Sequence, residues 1–122
     1  MAVDPTGEDI QRFLAEPDEG RAIVMLNLLR FAPGGGRERY TEYMLAAQPF
    51  AEKIGADPVY FGDCAPAIIA EEGQAWDAVL IVRYPSRAAF LEMVGDPGYQ
   101  AITHLRTEAL SEAVLQPTAE RG

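Results

Sequence analysis

Residues 76–86 read W-D-A-V-L-I-V-R-Y-P-S, and this stretch decides the fold. Val79, Leu80, Ile81 and Val82 form an unbroken apolar run, the pattern of a strand covered on both faces. Pro85 ends it, having no N–H to give to a ladder, and Ser86 suits the cap of a following helix. A polar turn, Glu71-Glu72-Gly73-Gln74, comes before it. Upstream of that turn, residues 59–70 read as another strand, bent or interrupted at Gly62 and Pro66. Two strands joined by so short a turn predict an antiparallel hairpin. In the first of them Val59, Phe61 and Asp63 share one face, and Tyr60, Gly62 and Cys64 the other. Cys64 is then a mid-strand residue, expected to be buried and inert.

Working back, residues 21–31 form a third strand. Ile23, Met25, Asn27, Leu29 and Phe31 point one way, and Val24, Leu26, Leu28 and Arg30 the other. Each face is apolar but for one polar residue, so both require cover. Pro33 and Gly34-Gly35-Gly36 make a turn; no G-K-[ST] follows, so this is not a phosphate-binding P-loop. Residues 37–54 carry Tyr40, Tyr43, Met44, Ala47, Phe50, Ala51 and Ile54 on one helical stripe, with a kink or break expected at Pro49. A short helix opens at Asp4-Pro5-Thr6 and ends at Pro17 and Gly20, an appendage packed on the rest.

Working forward, Ser86 caps a helix with Phe90, Met93 and Val94, ended by Gly95. Asp96-Pro97 starts another, with Tyr99, Ile102, Leu105 and Ala109 on its stripe. Residues 113–116 are a last strand, closed by Pro117, and 118–122 are an expected disordered tail. No repeat or linker divides the chain, so residues 1–122 are expected to form one domain: a helical appendage over 1–20, a core over 21–117 and the tail.

The order strand, helix, strand, strand, helix, strand is the split βαβ arrangement, an α+β ferredoxin-like fold with a four-stranded antiparallel sheet. Helices cover one face of such a sheet. The other face is here too apolar to be wet, which predicts a second sheet against it, most simply from an identical chain in a homodimer.

Composition narrows the partners. The 122 residues carry 19 acidic and 10 basic side chains, a net charge of -9. That disfavours nucleic acid, whose phosphates need a basic surface, and anionic membranes. Cys64 and His104 are the only cysteine and histidine, so no intrachain disulfide and no Cys/His zinc site is expected, and no metal. No apolar leader or span is evident, and a cytoplasmic location is the default.

The chain resembles the dimeric α/β-barrel superfamily and, within it, an uncharacterised family of small bacterial proteins known as a domain of unknown function. The resemblance rests on M-L-N-L-L-R-F, Y-T-E-Y, V-Y-F-G, W-D-A-V-L-I-V-R-Y-P-S, D-P-G-Y-Q-A and Arg106. It implies two sheets meeting in a dimer and a cleft in each protomer between sheet and helices. Relatives include cofactor-free monooxygenases, haem-dependent enzymes, lactone isomerases and stress proteins, so the fold leaves the chemistry open. His104 lies on a short helix, unlike a proximal haem ligand, and no cofactor is expected.

Within that frame Asn27, Asp77 and Arg106 are the candidate catalytic groups, and Asn27, Tyr43, Tyr60, Trp76 and Tyr84 the candidate lining of a cleft for a small hydrophobic or aromatic molecule. Asn27 is a polar group in an apolar strand, which holds either a ligand or a core hydrogen bond. Arg30 is expected to pair with Asp77 or Asp63. Asp77 is a base only if desolvated, and a structural pairing with Arg106 is favoured. His104 falls off the apolar stripe and is expected on the surface. The functional expectation is a small-molecule-binding or -transforming dimer, the alternative a non-catalytic ligand-binding or stress-related one.

Overall fold

The structure, a computed structural model, describes residues 2–121. The elements are α1 (Gly7–Ala15), β1 (Ile23–Phe31), α2 (Gly36–Lys53), β2 (Asp57–Asp63), β3 (Ala78–Tyr84), α3 (Arg87–Gly95), α4 (Pro97–Gln100), α5 (Thr103–Ala109) and β4 (Leu110–Thr118). The strands form one four-stranded sheet in the order β2-β3-β1-β4, antiparallel throughout. This is the ferredoxin-like α+β fold that the order of elements predicts.

Local chemistry sets the helix starts. Thr6 and Asp9 close a capping box on α1. The Ser86 hydroxyl accepts from the Ala89 N–H at 3.1 Å, and the Asp96 carboxylate from the Gly98 N–H at 2.8 Å, with Pro97 in the first turn of α4. Each cap satisfies donors that a helix start leaves orphaned.

The helices lie on one face of the sheet. Leu29, Ala78 and Leu80 pack there against Tyr40, Ala109 and Leu110, and Ile23, Met25 and Tyr84 against Met93 and Tyr99. The N-terminal stretch straps the same side: Phe13 packs edge-on against Phe90 at 5.4 Å between ring centres, and Arg87 lies over the Phe13 ring. On the opposite face Val24, Leu26 and Leu28 of β1 stand beside Val79 and Ile81 of β3 and Val114 of β4. All six are only partly buried, and no helix covers them.

Several boundaries differ from expectation. α2 runs unbroken through Pro49, where Leu45, whose carbonyl Pro49 leaves without its helical donor, lies on the exposed side of the helix at 66% exposure. β2 stops at Asp63, because its partner β3 begins at Ala78, directly opposite. Cys64 therefore falls in an exposed connection and is not buried. The helix starting at Pro97 divides into α4 and α5 at a turn over Ala101 and Ile102. β4 extends beyond the expected 113–116 in both directions and includes Pro117 and Thr118, tolerated on an edge strand.

Gly36 shows how tightly the corner of the fold is packed. A Cβ there would lie 2.6 Å from the Ala109 carbonyl oxygen and 3.1 Å from Phe31 backbone. Gly36→Ala is expected to cost about 1–3 kcal/mol in urea unfolding, as overpacking does. Gly95→Ala is the control: nothing lies within 4 Å of its added methyl, and its midpoint should not fall. Equal midpoints for the two variants would remove the close-packed corner from this account.

Candidate functional site

The sheet divides the sequence-derived candidates between its two faces. Asn27, Tyr43 and Tyr84 lie on the helix side. Asn27 is 7% exposed and its amide donates to the Leu80 carbonyl at 3.2 Å. The hydroxyls of Tyr43 and Tyr99 are 2.6 Å apart. Burial raises the Tyr40 hydroxyl to a pKa of about 12, and burial with neighbouring tyrosines holds Tyr43 and Tyr84 well above the usual value. Arg106 stands near these rings and counteracts the shifts.

The expected Asp77–Arg106 pair does not form. Arg106 donates to the Val3 carbonyl at 2.8 Å and lies 3.6 Å from the Asp4 carboxylate. Asp77 takes a backbone partner: its carboxylate accepts from the Phe31 N–H at 2.8 Å, where the β1–β4 register shifts, and its own N–H donates to the Leu29 carbonyl at 2.8 Å. A carboxylate at that spot satisfies a strand-end donor that the irregular ladder would strand.

Tyr60 and Trp76 belong to the helix-free side. Tyr60 pairs in register with Ile81, and its ring lies against Gly62. Trp76 is stacked under the Arg30 guanidinium, 4.8 Å from the ring centre. Arg30 forms an ion pair with Glu112 across the sheet, not with Asp77 or Asp63 as expected. It also donates from Nε to the Ala75 carbonyl at 2.9 Å and from Nη2 to the Gly73 carbonyl at 2.9 Å. His104 is exposed on α5, as its position off the apolar stripe predicts.

An open cleft lies between β2 and the start of α2, with a volume of about 180 Å³. Its lining is Phe31, Arg37, Thr41, Phe61, Gly62 and Asp63. Phe31 and Phe61 both lean on Tyr40, at 5.9 and 6.3 Å between ring centres. The Arg37 guanidinium lies 4.8 Å over the Phe31 ring and pairs with Asp63, whose hydrogen bond raises the arginine's pKa further. The cleft thus joins an aromatic floor to a rim with one cation, one carboxylate and one hydroxyl. None of its residues is among the sequence-derived candidates. A usable signal was the parity that sends Phe31 and Phe61 to the same face at adjoining strand ends. Among the described residues no cluster of three His, Cys, Asp or Glu side chains is placed to hold a metal. Nor is any helix among them long and apolar enough to cross a membrane.

Residues 35–116 match the family described as a domain of unknown function, DUF1330. The chain belongs to that family. No curated protein matches it. The RPA0582 protein of Rhodopseudomonas palustris, itself of unknown function, is 33% identical, with a TM-score of 0.89 over 98% of this chain and 97% of that one. A dimeric ferredoxin-like protein of unknown function from Jannaschia sp. CCS1 is 12% identical, with a TM-score of 0.62 over 81% and 99%. A hydroxynitrile lyase from Passiflora edulis is 9% identical, with a TM-score of 0.64 over 81% and 93%. The last two share the fold alone with this DUF1330 chain.

The buried tyrosines give stability a pH dependence of known sign. An unfolded tyrosine ionises near 10.0, whereas Tyr40 in the folded chain holds its proton to about 12. Stability is complete below the unfolded value and falls as pH rises from there, by up to about 1.4 kcal/mol per pH unit for each such tyrosine. Urea midpoints measured across this alkaline window are expected to drop, and Tyr40→Phe to lessen the slope. A flat profile would show that the rings ionise freely in the folded state.

Proposed function

We propose that this protein is a homodimer in which each protomer binds a small hydrophobic or aromatic molecule in the cleft between β2 and α2. The carrying observation is the floor of Phe31 and Phe61 beneath a polar rim of Arg37, Thr41 and Asp63. An apolar space of about 150 Å³ accommodates a molecule the size of benzene. The open cleft, at about 180 Å³, has room for a single ring with one or two polar substituents. Such sites use apolar walls for affinity and a few polar groups for orientation.

Binding without turnover is the reading the polar groups favour. The Asn27 amide and the Asp77 carboxylate are both engaged with backbone groups, and neither lines the cleft. The dimer reading is supported by the uncovered apolar face of β1, β3 and β4, and by the dimeric ferredoxin-like protein that shares the fold. The acidic balance fits a protein without a nucleic-acid partner, and an exposed lone thiol fits a reducing compartment such as the cytoplasm.

Two measurements test these readings separately. Titrating phenol into labelled protein should shift the amides of β2 and the first turns of α2, and Phe61→Ala should weaken binding by about three- to tenfold, the worth of one aromatic contact. Shifts confined to other elements, or an unchanged affinity in the variant, would move the site elsewhere. Sedimentation should give a dimer for the unaltered chain. A charge at the centre of the helix-free face, Leu26→Glu, should give a folded monomer; a dimer that survives it does not use that face.

A further inference from the structure

The connection from β2 to β3 carries the least covered apolar side chains of the described chain: Ile68 is 100% exposed and Ile69 is 94% exposed. The two isoleucines sit at a bend of this connection, and the near-complete exposure of both means that the tip of this arm stands clear of its own protomer. Large apolar side chains exposed together mark an interaction site.

The arm is firmly rooted. At its start the Cys64 N–H donates to the Asp77 carbonyl at 2.9 Å. On its return the Gly73 and Ala75 carbonyls are gripped by Arg30, with Trp76 stacked beneath the guanidinium. Arg30 alternates with Leu28 and Leu26 and so projects from the helix-free face. The arm is therefore anchored on the side where a second copy would sit.

We propose that the arm, with Ile68 and Ile69 at its tip, docks on the second copy of this chain and completes the dimer interface reciprocally. The inference rests on the homodimer reading above and adds the element that secures it. The arm is continuous with the helix-free face through Arg30 and adds apolar surface to it, and two-fold symmetry supplies that surface twice.

The test is sedimentation equilibrium on the full chain and on the double variant Ile68→Ser, Ile69→Ser. Isotope-filtered NOE spectra of a mixed-label dimer accompany it. The expected result is a dimerisation Kd raised about 100-fold or more in the variant, from isoleucines buried on both copies. Intermolecular NOEs from the Ile68 and Ile69 methyls are also expected. The unfolding midpoint of the variant monomer should match that of the unaltered monomer, because these side chains are almost wholly exposed in their own protomer. An unchanged Kd, or weakened association without intermolecular NOEs, overturns the arm inference and leaves the dimer standing. An unaltered chain that is monomeric overturns the dimer reading itself, and the arm inference with it.

Discussion

The fold hangs on one corner, where a carboxylate reaches a strand end. Asp77, at the entry to β3, accepts the N–H of Phe31 at the exit of β1, and gives its own N–H to Leu29. One residue further on, the Ala32 N–H donates to the Ala109 carbonyl at 2.8 Å, tying β1 to the junction of α5 and β4. Gly36 then starts α2 against that same carbonyl with no room for a methyl. Three strand ends and two helices converge there, and their polar backbone groups are satisfied by one another. The position of α2, and so the width of the cleft between it and β2, follows from this convergence.

The second governing feature is that β1 is a two-sided apolar strand with one polar residue per side. The two polar residues resolve differently. Asn27 turns into the helix side and spends its amide on a neighbouring strand's carbonyl. Arg30 turns to the other side, where Glu112 neutralises it and carbonyls of the β2–β3 connection fill its fork. A guanidinium presents its donors in a rigid planar fork, and here that one side chain holds a carboxylate and two loop carbonyls at once.

Much of the fold was legible because its signals are local. The alternation in 21–31 assigned both faces of β1 correctly, and Ser86 and Asp96-Pro97 marked helix starts through caps that need no tertiary context. Element ends were less legible, because pairing partners set them. Nothing in 64–70 says that β3 has not yet begun opposite it, so β2 reads too long and Cys64 reads as buried. Pro49 misleads for a related reason, since its effect depends on whether the carbonyl of Leu45 meets water or protein. The candidate site was legible only as a class of cleft. Polar residues in apolar strands attract notice, yet here they answer to backbone groups. The cleft is instead made by Phe31 and Phe61, whose type alone suggests core, and by an Arg37–Asp63 pair separated by most of α2 and β2.

Each edge of the sheet carries a proline. On β2, Pro58 is followed by a register slip before Tyr60, and on β4, Pro117 sits opposite Met25. The outer side of β4 is further occupied where the Ala113 N–H meets the Ala2 carbonyl at 2.8 Å. A stray strand seeking to extend the ladder finds donors missing at one edge and already engaged at the other. Open-ended lateral growth, the route by which exposed ladders become fibrils, is thereby interrupted at both ends.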